Sequence, residues 1–142
     1  MGTCNLILSS TFRPKYDGYY IPNVEVIVLC DGDYLTSLKE GEVKKITIES
    51  GSHIFQFEAD FWLIEKGVEE GVHESASFRD SKIIDLPSER QYALLEENLM
   101  MQFEKWRDKR EKDSEEFLRE MGEIAERDAK LIGDYYKKMY HK

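Results

Sequence analysis

Three histidines, His53, His73 and His141, and two cysteines, Cys4 and Cys30, are the side chains in this 142-residue chain best suited to metal or nucleophilic chemistry. A zinc site draws its Cys and His ligands from short, recognisable spacings, and no histidine here stands within such a spacing of a cysteine or of another histidine. A Cys-His nucleophile pair would need the fold to bring Cys4 or Cys30 to a histidine; both cysteines lie inside apolar runs that read as mid-strand, which argues against it. His53, in a tight turn, reads as a structural hydrogen-bonding residue. Paired carboxylates suited to acid–base work occur at Glu69-Glu70 and at Asp31/Asp33, yet a chain with 29 acidic residues carries such pairs on solvated surface as a matter of course. Gly-rich phosphate loops and nucleophile elbows are absent. The expectation is no catalytic residue, no metal and no cofactor: the chain does not read as an enzyme.

Charge narrows the partners further. Twenty Lys and Arg against 29 Asp and Glu leave a net charge of −9, which repels phosphate backbones and anionic bilayers, so neither nucleic acid nor membrane is expected as a partner. The imbalance is concentrated in residues 1–87, with 8 basic and 15 acidic side chains, whereas residues 88–142 hold 12 and 14. Two cysteines do not make a disulfide framework. Reduced, buried thiols are expected, with a bridge between neighbouring strands as the alternative. The N-terminus has no basic n-region and too short an apolar stretch for a signal peptide. Gly2 lacks the Ser or Thr that a myristoylation motif places at the sixth position, which is Leu6 here. A cytoplasmic location is expected, and no apolar run approaches the length of a membrane span.

The elements that would position these side chains fall into two parts. Residues 1–87 read in short β-branched or aromatic runs broken by Gly, Asp and Pro, with candidate strands at 3–12, 24–30, 33–38, 43–49, 53–60 and 81–86. Asp31-Gly32 joins two of them into a hairpin over 24–38, because glycine tolerates the positive φ of a tight turn. Further turns at Glu40-Gly41-Glu42 and Ser50-Gly51-Ser52 imply an antiparallel arrangement.

The order Val24-Glu25-Val26-Ile27-Val28, Asp31-Gly32, Leu38-Lys39-Glu40-Gly41-Glu42, Ile46-Thr47-Ile48 and Gly51-Ser52-His53-Ile54-Phe55 resembles the core of PEGA-type domains. These are small β-sandwich modules that carry a strand, an Asp-Gly hairpin, a Gly-Glu turn, a strand and a Gly-x-His turn in that sequence. The likeness spans residues 24–57. Glu49-Ser50 stands where the family has Pro before the Gly-x-His turn, and the C-terminal part lies outside the pattern. The resemblance implies a non-enzymatic adhesion or accessory module.

Residues 61–80 read as a long loop or mobile hairpin: Phe61-Trp62-Leu63-Ile64 is apolar, while Glu65, Glu69, Glu70 and Glu74 surround Gly67 and Gly71. Pro87-Ser88-Glu89-Arg90-Gln91 then has capping-box spacing, with Ser88 as N-cap. From there Tyr92, Leu95, Leu99, Phe103 and Trp106 recur at helical spacing. Residues 107–116 contain no apolar side chain but offer opposite-charge pairs such as Arg107/Glu111 and Lys112/Glu116. A second stripe follows at Phe117, Met121, Ile124, Leu131 and Tyr135, flanked by Leu118, Ala125, Ile132 and Tyr136. Two geometries are open: one continuous helix, whose second stripe then needs another chain, or a hairpin of two helices with Asp113 or Ser114 capping the second.

The fold class is thus α+β, an N-terminal antiparallel β-sandwich or meander over 1–87 followed by a charged, coiled-coil-like helical segment over 88–142. The function expected is that of a non-enzymatic interaction or adaptor protein. Its tail would mediate homo-oligomerisation or docking to a protein partner through Phe117, Met121, Ile124, Leu131 and Tyr135, and Phe61 and Trp62 would form a possible second epitope. The alternative is an acidic inhibitor or nucleic-acid mimic, which requires Glu58, Asp60, Glu65, Glu69, Glu70 and Glu74 to gather into one patch. A small hydrolase, a third reading, requires a cleft joining His53 or His73 to carboxylates.

Overall fold

A computed structural model describes residues 2–67 and 73–140, the side chains of 73, 135, 136 and 138–140 excepted. Among these described residues eight strands precede one helix: β1 (Thr3–Ser10), β2 (Tyr19–Tyr20), β3 (Glu25–Cys30), β4 (Asp33–Lys39), β5 (Val43–Glu49), β6 (Gly51–Glu65), β7 (His73–Leu86), β8 (Gln91–Glu96) and α1 (Asn98–Tyr140). The class is α+β, as expected. Among the described residues no helix is long and apolar enough to cross a membrane.

Two sheets hold the strands. In the smaller, β1 lies between β5, antiparallel to it, and β8, parallel to it. In the larger, β6 is the spine: β7 lines one edge from Gly51 to Ile64, and β3 and β2 share the other, with β4 outside β3. Successive strand residues point to opposite faces, so the alternating apolar residues Cys4, Leu6 and Leu8 of β1 and Phe55, Phe57, Ala59, Phe61 and Leu63 of β6 are all buried. Phe12, just after β1, meets Phe61 of the other sheet at 5.8 Å between ring centroids.

The hairpin over 24–38 is present. Its two central residues have φ of 51° at Asp31 and 87° at Gly32, the mirror-image turn whose twist matches that of the flanking strands. The later turns do not extend a simple meander. The chain leaves the larger sheet after β4, adds β5 to the smaller one, and returns to β6 through Ser50 alone.

Two expectations are corrected. The stretch 61–80 is not a long loop; of its two readings the hairpin is the one that fits, since β6 runs to Glu65 and pairs antiparallel with β7, which begins at His73, while 68–72 lie outside the described residues. The reason is legible on β6, where the inward alternation continues through Phe61 and Leu63 without a break. The second correction concerns the helix, which starts at Asn98 and not at Ser88. The unpaired edge of β1 needs backbone partners, and Gln91–Glu96 supplies them in register from Asn5↔Gln91 to Ser10↔Glu96. Glu89 takes a positive φ of 55° and donates its amide to the Thr3 carbonyl. Ser88 Oγ packs so close to Gly2 that a Cβ there would collide with it. Tyr92 and Leu95 therefore belong to a strand, and only Leu99, Phe103 and Trp106 of that stripe lie on α1.

The chain divides into compact units at 1–105 and 106–142, not after Pro87. In the first unit, the opening turns of α1 close the core. Phe103 lies 5.8 Å from Phe61 and 6.3 Å from both Phe12 and Phe78, mostly edge to face. Gln102 and Asn98 add hydrogen bonds to the Arg79 carbonyl and the Asp80 carboxylate of β7.

Candidate interaction surface

The second unit is helical throughout its described backbone, so the tail is one helix and the break considered at Asp113 or Ser114 does not occur. Opposite charges three and four residues apart support the helix through 107–116, and Arg110 lies over the Trp106 ring at 5.5 Å. Beyond it, every described side chain from Glu111 to Asp134 is exposed. The predicted stripe is among them: Phe117 is 60% exposed, Met121 50%, Ile124 46% and Leu131 63%, with Leu118 and Ile132 alongside at 67% and 58%. Tyr135 has its backbone in the helix, and its side chain lies outside those described.

The second epitope does not form as a pair. Adjacent strand residues face opposite ways, and Phe61 is core while Trp62, 54% exposed, faces outward. A local pairing of two aromatics in sequence overlooked that alternation. The acidic set divides in the same manner. Glu58 and Asp60 lie on the outer face of β6, where Glu58 pairs with Arg79 and Asp60 accepts from Ser77. Glu65 and Glu74 follow the register of Leu63, on the opposite face. Glu69 and Glu70 are outside the described residues, so the four that are described do not make one patch.

Among the described residues one cluster of chemically capable groups does assemble, at the turn of the β3–β4 hairpin: Cys30, Asp31 and His53 present ligand atoms within 4.8 Å of one another. Its hydrogen bonds assign it a role. His53 Nδ1 is 2.6 Å from Asp31 Oδ2, and His53 Nε2 is 2.7 Å from the Glu49 carbonyl oxygen. Asp31 Oδ1 accepts the Ile54 amide at 2.9 Å. The Ile54 amide and then the His53 ring hold Asp31 below the ordinary carboxylate range, so its oxygens accept. A carbonyl oxygen can only accept. Both ring nitrogens of His53 are thus placed to donate, an arrangement that favours the protonated ring, and the Asp31 bond is the first cause of its raised pKa.

In this arrangement both ring nitrogens of His53 are engaged in hydrogen bonds to protein oxygens. The neighbouring Cys30 thiol is pushed up to about 11, first by burial and then by the Asp31 charge, which keeps it from acting as a thiolate. This trio is a clip between the 31–32 turn and the start of β6, matching the structural role expected of His53. Cys4 and Cys30 are both free and sit on β1 and β3, in different sheets, so they are not the neighbouring strands a bridge would need. His73 and His141 lie outside the described side chains. Four surface clefts, around Pro14–Ile21, Trp62, Val24 and Thr47, contain no histidine.

One residue escaped sequence reasoning. Glu96, with no exposed surface, turns its Oε1 toward the amides of Asn98 and Leu99, at 2.7 and 3.0 Å, and so satisfies the first donors of α1. Its Oε2 is buried with no hydrogen-bond partner among the described residues. Burial raises its pKa, the two amides oppose that rise, and Asp80 adds to it while Lys82 reduces it. Once the helix is placed at Asn98, an acid two positions earlier is the available signal.

Comparison with protein-family models, curated proteins and solved structures finds no match for this chain.

Proposed function

We propose that this chain is a non-enzymatic interaction protein, working in the cytoplasm, in which the β unit is carried on a helix that mediates homo-oligomerisation or docking to a protein partner. The observation that carries the reading is the run of large apolar side chains on α1, from Phe117 to Ile132, that nothing in the chain covers among the described residues. Isolated exposed apolar residues are ordinary, but a helical stripe of six is the usual mark of an interface. The clip at His53 supports the non-enzymatic side, since it takes up both nitrogens of the one histidine ring among the described side chains in hydrogen bonds. The PEGA resemblance of residues 24–57, with its implied accessory role, belongs to the same proposal and draws support from the Asp31-Gly32 hairpin.

Size-exclusion chromatography with light scattering tests it, on the full chain and on the full-length triple variant Phe117→Ser, Ile124→Ser, Leu131→Ser. The wild type is expected to be a dimer or larger and the variant a monomer with an unchanged β unit. Equal masses for the two, with no difference in capture of any protein partner, would remove the stripe from the function.

A further inference from the structure

Resting on that reading, we infer that the exposed face of α1 pairs with the same face of a second copy, in an antiparallel register centred near Glu126. The apolar residues from Phe117 are spaced 4, 3 and 7, at Phe117, Met121, Ile124 and Leu131; Asp128 takes the position between the last two, four after Ile124 and three before Leu131, and position 135 lies four further on. This is a heptad seam of alternating d and a positions, with Asp128 as its one charged member. In antiparallel coiled-coil packing, each a residue meets a d residue of the other chain. Folding the seam on itself about position 126 sets Phe117 against position 135, Met121 against Leu131 and Ile124 against Asp128, so all six positions are matched.

Charge selects the same register without reference to the seam. Residues 113–126 hold six acids and one base, whereas residues 127–139, which that fold sets opposite them, hold four bases and two acids. A parallel, in-register pair would lay the acidic block on itself and put two Asp128 carboxylates face to face in the seam. The antiparallel pair centred near Glu126 lays acidic block on basic block at both ends. The other junction of opposite blocks, near Lys112/Asp113, would place the acidic block over residues 99–112, and Leu99 and Phe103 are already buried in the β unit. The six exposed side chains, counted on two copies, offer on the order of 1,000 Å² of surface, the lower range of a specific interface.

Disulfide trapping in the full-length protein tests the arrangement. Met121→Cys and Leu131→Cys chains are mixed in equal amounts, oxidised, and the bonds mapped by mass spectrometry, with light scattering on the wild type alongside. The native cysteines yield distinct peptides. The antiparallel register predicts a 121–131 bond in the mixture and little bonding in either variant alone. A wild-type dimer giving 121–121 and 131–131 bonds, or neither, would leave self-association standing and overturn this geometry. A wild-type monomer at every concentration would overturn both.

Discussion

Replacing Glu96 separates two roles that one side chain combines. Glu96→Ala removes the acceptor for two helix amides, one of them the buried Leu99 N–H. An orphaned buried donor costs about 1–3 kcal/mol, so the two together, with the hollow left behind, should cost about 3–5 kcal/mol, a large part of a domain's usual stability of roughly 5–15 kcal/mol. Glu96→Gln retains a carbonyl oxygen at the Oε1 position and removes the buried charge. The folded-state pKa of Glu96 is raised, so the ionised form is the one the fold disfavours. Stability from this group is greatest below the ordinary value of 4.5 and declines as pH rises through the raised one. Glu96→Gln should therefore stay within about 1 kcal/mol of wild type at pH 7, and should lose ground to it as the pH is lowered toward 4.5. Urea denaturation followed by circular dichroism at several pH values measures both differences. A Gln variant as damaged as the Ala variant at pH 7, or a wild-type-to-Gln difference independent of pH, would show that the charge at the helix start outweighs its burial and would refute the reasoning.

Further outcomes are expected. The His53 ring should titrate in NMR above its ordinary 6.5, and Asp31→Asn, which keeps a residue tolerant of positive φ in the turn, should bring the midpoint down. The clip's contribution is full below pH 6.5 on the His53 side and fades as pH rises through the raised value; on the Asp31 side it is present above 3.8 and fades as pH falls through the lowered one. The window of greatest benefit thus lies between those ordinary values, and protection of the Ile54 amide from hydrogen exchange, relative to its intrinsic rate at each pH, should be greatest there. Phe103→Ala should destabilise the β unit by about 3–5 kcal/mol, as expected for a buried phenylalanine, whereas Phe117→Ala should change the stability of the isolated monomer by less than about 0.5 kcal/mol, as for an exposed position; calorimetry at low protein concentration distinguishes them.

Much of the candidate surface was legible because it depends only on helical periodicity. Phe117, Met121, Ile124 and Leu131 recur on one face whatever the rest of the chain does, and every described side chain from Glu111 to Asp134 is exposed, so nothing displaces that pattern. Phe61 and Trp62 were misread as a unit because their chemistry was considered without the strand alternation that separates them. The carboxylates of β6 and β7 were likewise separated by register, which composition does not encode. A further practical consequence concerns truncation: a fragment ending at Pro87 would delete β8 and expose an edge of β1, so the β unit is properly bounded at Lys105.

What the residues determined by themselves was local. The positive-φ turn at Asp31-Gly32, the alternating runs of β1, β3 and β6, and the charged helix through 107–116 follow from backbone preference and from periods of 2 and 3.6 residues. Tertiary structure decided the rest. Residues 88–96 have a helix start written into their side chains, yet they became a strand because β1, some 85 residues earlier, had an edge of backbone donors and acceptors that only another strand could satisfy. β5 left its neighbours for the smaller sheet to pair with the other edge of β1. Glu96 became a buried cap only once that strand and the helix after it were in place. Local preferences are worth a few tenths of a kcal/mol per residue, and an unpaired buried edge costs several times that, so the distant contact prevailed.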